Sequence, residues 1–426
     1  MKTVFKLIAL GALAGAVITG ISAAATESSE TVKNNAVDYS NVVFALPNEV
    51  LDRMEAKTFE SSDGVNLPYR IYYSPAYDAE DKENGAMLFV FLHGSGGRGN
   101  DNIKQISDQV ATVNYMVSDS AIEAFGHIPY VIIAPQCAEG AQWVESPWAQ
   151  GSYDAEDVPM SPQLNAVYEL ILKTLDADNI DKSNVMLGGI SMGGYGTWDL
   201  AVRHPELFNA IFPICGSGDP TKAEAIKDLK IWTFHSDNDA SVPVQGTRDM
   251  VAALENVGAD VKYTEFTGKG HNAWRPAMDE VKDPYLLQWL FDDCRNYQVK
   301  VLTTEGDELL ESVESFRKGD EFKVEFEPSE GFIPESLFVN GEEVEFITDD
   351  SGAVYYECVV EGDTEINAVF VKEEVSTEES SAAENKTEEK QGGLSTPAKI
   401  GIVAGVAAIL GTVVGIIATK KKGKKQ

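Results

Sequence analysis

Residues 188–197 read Gly-Gly-Ile-Ser-Met-Gly-Gly-Tyr-Gly-Thr, and they follow directly on the apolar run Val185-Met186-Leu187. A Gly-x-Ser-x-Gly segment between a buried strand and a helix is the signature of a serine held out of a tight, strained turn. The positions two before and two after that serine must be nearly free of side chain, and Gly189 and Gly193 meet the demand around Ser191. Beyond the turn, Tyr195, Trp198, Leu200, Ala201 and Val202 supply the apolar positions of a short helix that stops near His204-Pro205. Ser191 is the candidate nucleophile. A chance match in a glycine-rich turn is the alternative, and the rest of the chain decides between them.

A serine in this setting needs an acid and then a histidine further along the chain, each on a loop after a later strand. Ile231-Trp232-Thr233-Phe234 reads as a buried strand and runs into His235-Ser236-Asp237-Asn238-Asp239. Residues 261–266 read as another strand and empty into Thr267-Gly268-Lys269-Gly270-His271-Asn272-Ala273-Trp274. Of the five histidines, His93 and His127 precede the serine, His204 ends the helix behind it, and His235 sits at a strand end where a structural bond to backbone is expected. His271 remains as the candidate base. Asp237 and Asp239 stand two apart in one loop, so spacing alone leaves the acid open between them.

Upstream, the continuous apolar run 87–92 is followed by His93-Gly94-Ser95-Gly96-Gly97. Such a run reads as a strand buried on both faces, and the glycines let backbone N–H groups converge on one point. The N–H groups of Ser95 and Met192 are the candidate oxyanion donors. A phosphate cradle would require a Gly-Lys-Ser/Thr that is not there.

The stretch 57–296 resembles α/β-hydrolases of the secreted carboxylesterase and "predicted peptidase" group, relatives of polyhydroxybutyrate depolymerases, feruloyl esterases and dienelactone hydrolases. The matching pieces are Leu-His-Gly-Ser-Gly-Gly at 92–97, Ala-Pro-Gln-Cys at 134–137 with Trp143 beyond, Gly-Ile-Ser-Met-Gly-Gly at 189–194, Asp239-x-x-Val-Pro, and Gly-His-Asn-Ala-Trp at 270–274. The resemblance implies hydrolysis of a carboxylic ester through an acyl-enzyme, with no cofactor and no metal. It also implies Asp239 as the acid, since such proteins place it three residues before Val-Pro. Ser236 departs from the glycine common there. The alternatives are a peptidase of the prolyl-oligopeptidase kind, which usually carries a large domain ahead of the hydrolase domain, and a catalytically silent surface-binding protein.

The alternation of strands and helices from 57 onward predicts a mainly parallel sheet with helices on both faces, opening with a hairpin at Asp63-Gly64. Expected elements include strands at 87–92, 129–134 and 184–190, and helices near 104–118, at 161–176 and at 284–296. In the helix at 161, Ser161 caps, Pro162 takes the first position, and Leu164, Val167, Tyr168, Ile171, Leu172 and Leu175 form the expected buried stripe. The long loop 135–160 carries Trp143, Trp148 and Tyr153, which suggests an aromatic substrate wall for sugar rings or a phenolic acyl group. Trp274 beside His271 is a further candidate substrate contact. Beyond 297 the pattern turns to alternation of period two, as in Phe322, Val324 and Phe326, so 298–372 is expected to form a small β-module. It is similar to the modules of internalin-type bacterial surface proteins and is expected to act as a spacer.

The ends read differently. Lys2 and Lys6 precede an apolar stretch closed by Ala23-Ala24-Ala25, so residues 1–25 are expected to be a secretory signal, with a linker at 26–40 and the catalytic domain at 41–297. Residues 373–398, rich in Glu, Ser, Thr and Lys, read as a tether. An uncharged span at 400–418 within a predicted membrane helix, 399–419, meets a basic tail at 420–426. The expected location is the outer face of a membrane, crossed once. A formal net charge of −34 excludes polyanions, nucleic acid above all, as natural partners. An ester substrate, on a plant-type polysaccharide or a small acyl ester, is the expected partner. The four cysteines lack the spacing of a disulfide framework and are expected to be mostly free and buried.

Overall fold

The structure, a computed structural model, describes residues 4–10, 41–81, 85–107, 111–281, 285–349 and 351–373. They fall into two compact units, one within residues 18–297 and one within 298–426 together with the N-terminal residues up to 17. The expected linker, tether, membrane helix and basic tail, 373 apart, lie outside the described residues, as does 11–25 of the expected leader. Among the described residues no helix is long and apolar enough to cross a membrane.

The first unit is built on eight strands: β1 (Glu55–Glu60), β2 (Asn66–Tyr73), β3 (Ala86–Leu92), β4 (Tyr130–Pro135), β5 (Ile180–Ile190), β6 (Ala210–Ile214), β7 (Lys230–Ser236) and β8 (Val261–Phe266). Their order in the sheet is β1-β2-β4-β3-β5-β6-β7-β8. β1 and β2 form the antiparallel hairpin at one edge, β2 meets β4 antiparallel, and all later neighbours are parallel. Every residue of β3, β4 and β6 is buried, as strands covered on both faces must be. On β3 the two faces separate by parity: Leu88, Val90 and Leu92 join one core, while Met87, Phe89 and Phe91 join the other.

The helices are α1 (Pro47–Arg53), α2 (Lys104–Ser107), α3 (Ala111–Met116), α4 (Asp119–Phe125), α5 (Pro162–Ala177), α6 (Met192–Arg203), α7 (Gln245–Asn256), α8 (Trp274–Asp279) and α9 (Leu286–Gln288), the last continued by π-helical Trp289–Asp293. α5, α6 and α7 feed the first core; α3, α4, α8 and the closing helix feed the second. The helix expected near 104–118 is two helices, α2 and α3, on either side of residues outside the described set. The closing helix ends at Asp293, and Asn296 already begins a strand. α5 starts where Ser161 Oγ accepts from the Leu164 N–H at 3.1 Å. Its buried stripe includes Leu170 and Thr174, whereas Tyr168 and Leu172 are only half-buried. Tyr168 instead stacks on His204, with ring centroids 3.9 Å apart.

The second unit carries β9 (Asn296–Glu305, entering from the first), β10 (Glu308–Arg317), β11 (Glu321–Glu327), β12 (Phe332–Val339), β13 (Glu342–Val344), β14 (Ile347–Thr348), β15 (Val354–Val359) and β16 (Thr364–Lys372). They make two sheets: β10-β9-β16-β12-β13, and β11-β15-β14 with Val4–Leu10 added antiparallel to β11. Phe322, Val324 and Phe326 alternate inward as their spacing predicts, and Phe326, Phe346 and Phe370 form an aromatic cluster with centroids 5.6–5.9 Å apart.

Candidate active site

Three loops at the carboxyl ends of β5, β7 and β8 bring the central residues together. Ser191, between β5 and α6, has φ 53° and ψ −117°, a strained conformation for a residue with a side chain. The flanking glycines make it attainable. A Cβ on Gly193 would stand 1.9 Å from the Leu92 carbonyl oxygen, and one on Gly189 would stand 2.4 Å from that of Gly193. The Ser191 N–H donates to Ile214 O on β6 at 2.8 Å, which ties the turn to the neighbouring strand.

Ser191 Oγ lies 2.7 Å from His271 Nε2, and His271 Nδ1 lies 2.6 Å from Asp239 Oδ2. The carboxylate can only accept, so Nδ1 carries the proton toward Asp239 and leaves Nε2 free to accept from the serine hydroxyl. The Asp239 carboxylate is fully buried. Burial alone raises its proton affinity, but donors outweigh burial: His235, His271 and the amides of Val242 and Ser241 hold it well below the usual carboxylate range. Its Oδ1 accepts the Ser241 and Val242 N–H groups at 2.8 and 3.0 Å.

Asp237 does something else. It is exposed, and its Oδ1 accepts from the Gly268 N–H at 2.9 Å. Asn238 Oδ1 accepts from Gly270 at 2.8 Å, and Ser236 Oγ accepts from Lys269 at 3.0 Å. Three consecutive side chains of the β7 loop therefore grip three consecutive amides of the loop that carries His271. Ser236 and Asn238 were not legible as site residues, because their partners lie 32–33 positions away. A glycine at 236 would have no hydroxyl for Lys269.

The loop after β3 closes the site from above. A Cβ on Gly94 would lie 3.6 Å from Ser191 Cβ, so this turn passes directly over the serine. Ser95 opens the 3₁₀ turn Ser95–Gly97, and Met192 opens α6, so the Met192 N–H is among those a helix leaves without an internal partner. His93 anchors the turn from below. Fully buried, it sets its Nδ1 2.6 Å from Gly94 O and accepts the Cys137 N–H on Nε2 at 2.9 Å. That fixes the neutral Nδ1–H tautomer, and burial pushes its pKa down to about 4.

The aromatic expectations divide. Trp143 is a correction: it is fully buried, donates from Nε1 to His93 O at 3.1 Å, and packs edge-on to the His93 ring. Tyr153 is likewise buried, its hydroxyl on Asp199 Oδ1 at 2.7 Å, where Asp199 also pairs with Arg203. Buried polar anchors pull the 135–160 loop inward, so both rings pin it to the core instead of lining a wall. Trp148 is half-buried with the Arg98 guanidinium 5.8 Å from its ring. Trp274, at the start of α8, is half-buried and meets the His271 ring edge-on at 5.6 Å.

Cys215 Sγ lies with the Asp239 and His271 donor atoms in a group no wider than 4.8 Å, the one such set among the described residues. Burial, and then the Asp239 charge, push this thiol far up, so it would resist becoming the thiolate a metal binds. Asp239 and His271 are meanwhile committed to each other. The arrangement favours proton transfer over metal ligation. All four cysteines are free, Cys358 half-buried and the others buried.

The sheet order and the serine held in the turn between β5 and α6 are those of the α/β-hydrolase fold. A family model described as Phospholipase/Carboxylesterase matches residues 78–286. Among solved structures, a thermostable esterase is 34% identical, covers 57% of this chain and has a TM-score of 0.50; the chain spans 63% of that esterase's length. A ferulic acid esterase from Anaeromyces mucronatus, solved with ferulic acid, is 13% identical over 52% of this chain and 85% of its own, with a TM-score of 0.38. An acetyl xylan esterase from Aspergillus awamori is 16% identical over 51% of this chain and 93% of its own, with a TM-score of 0.37. No curated protein matches in sequence.

Proposed function

We propose that the chain is a serine carboxylic-ester hydrolase. The observation that carries this reading is the unbroken line Ser191 Oγ–His271 Nε2, His271 Nδ1–Asp239 Oδ2, at 2.7 and 2.6 Å, with Ser191 forced out of the β5–α6 turn. Ser191 attacks the ester carbonyl as His271 takes its proton, and Asp239 stabilises the imidazolium that forms. The Ser95 and Met192 amides receive the oxyanion, a donor of this kind being worth about 10²–10³ in turnover. His271 then returns the proton to the leaving alcohol. Water repeats the sequence on the acyl-enzyme and frees Ser191. No step needs a cofactor. A fluorophosphonate probe should label Ser191, and Ser191→Ala should lose both labelling and hydrolysis of p-nitrophenyl acetate; hydrolysis retained in that variant refutes the assignment.

Trp274 beside His271, and Trp148 with the Arg98 guanidinium over its ring, support an acyl or alcohol group with a planar or sugar ring, so acetyl or feruloyl esters of polysaccharides are the proposed substrates. The uncharged 400–418 span, its lysine tail and the signal-like first 25 residues support retention at the outer face of a membrane, with the β-module as spacer.

A further inference from the structure

His235 stands at the end of β7, four residues before Asp239, with no part of it exposed. Its Nε2 lies 3.1 Å from Val242 O and 3.2 Å from Asp239 Oδ2. A carbonyl and a carboxylate both only accept, so Nε2 must carry a proton. On the other side, Nδ1 lies 2.8 Å from Thr247 Oγ1, which itself can donate to Gly216 O at 2.8 Å. The Thr247 hydroxyl has one proton and two claimants. If it goes to Gly216, Nδ1 is also protonated and His235 is an imidazolium; if it goes to Nδ1, His235 is neutral. In either state the Nε2–H faces Asp239 and Val242.

The consequence reaches Asp239 by two routes. Val242 accepts from His235 through its carbonyl and donates to Asp239 Oδ1 through its N–H, so His235 closes the turn that holds the carboxylate. The same Nε2–H also shares Oδ2 with His271, drawing charge from the oxygen that stabilises the His271 cation. We infer that His235 is a positioning residue for the reaction, setting both the orientation of Asp239 and how much of its charge His271 receives. This rests on the serine-hydrolase reading above.

The ionisable groups around this pair are Asp239 itself, His271, the Cys215 thiol, the Tyr195 hydroxyl, and Glu265, which is paired with Arg248. Of these, only His271 donates to Oδ2. Removing the His235 donor leaves more of the Asp239 charge to His271, which favours the imidazolium and moves the acid limb of the kcat/KM profile to higher pH.

The test uses two amides of different reach in the full-length protein, with p-nitrophenyl acetate as substrate. His235→Asn places its amide near the Nδ1 position, against Thr247, and withdraws from Asp239. His235→Gln places its NH₂ near the Nε2 position and keeps that contact. The expected result for His235→Asn is a loss of about tenfold in kcat, with KM changed by less than about twofold and the acid limb raised by about half a pH unit. His235→Gln should restore kcat to within about threefold and return the limb to its wild-type place. Two equally impaired variants, an unmoved limb, or a His235→Asn chain that does not fold while His235→Gln does, would assign His235 to stability alone and overturn the inference. Activity retained by Ser191→Ala would instead sink the underlying reading, which separates the two failures.

Discussion

His93 carries a pH-dependent stability that can be worked out from its burial. In the unfolded chain it binds a proton below about 6.5; in the fold it resists protonation until about pH 4. The folded value is depressed for a base, so the unfolded state binds more protons between those limits, and stability falls as pH drops through that window. A separation of about 2.5 pH units corresponds to about 3 kcal/mol at about 1.36 kcal/mol per unit; about 2 kcal/mol of it is expressed between pH 7 and pH 4.5. All six tryptophans fall in the first unit, at 143, 148, 198, 232, 274 and 289, so tryptophan fluorescence during urea unfolding reports that unit selectively. His93→Gln keeps an acceptor, its amide oxygen, near the Cys137 N–H but cannot titrate. Its absolute stability should be lower at both pH values, and its loss between pH 7 and 4.5 should be smaller than the wild type's by about 2 kcal/mol. Equal losses, to within about 0.5 kcal/mol, would refute the claim that a buried neutral His93 underlies the acid sensitivity.

Three further outcomes are expected. Asp239→Asn should cost about 10³–10⁴ in turnover through the wrong imidazole tautomer, while Asp237→Asn, whose amide oxygen can still accept from the Gly268 N–H, should cost less than about tenfold; steady-state kinetics on both variants checks the ranking. Gly193→Ala should abolish fluorophosphonate labelling, because its Cβ would sit 1.9 Å from Leu92 O, so labelling at the wild-type rate would contradict the elbow geometry. Full-length protein should sediment with membranes and release an active ectodomain when external protease cuts within 373–398, whereas a soluble full-length chain would refute the proposed anchoring.

What the sequence revealed of this molecule follows from how local each constraint is. The 87–92 run and its parity, the Ser161-Pro162 helix start, and the two glycines around Ser191 are each fixed by neighbours within a few residues, so composition and spacing disclose them. The acid is different. Asp237 and Asp239 share one loop and one chemistry, and they are separated by which amides each accepts: Ser241 and Val242 fold Asp239 inward, while Gly268 draws Asp237 out toward the β8 loop. Trp143 shows the same limit from the other side. Its loop is turned inward by Asp199, which takes the Tyr153 hydroxyl from 46 positions away, and by Asp219, which takes the Ala155 N–H from 64. No pattern in 135–160 contains those partners, so Trp143 and Tyr153 read as part of a wall when they are core anchors. His235 combines both cases: its strand-end place was legible, and it does bond backbone at Val242, yet the contact that gives it consequence runs to a carboxylate already promised to His271. A residue's element is thus written near it in the sequence, whereas its role is written wherever the chain brings its second partner.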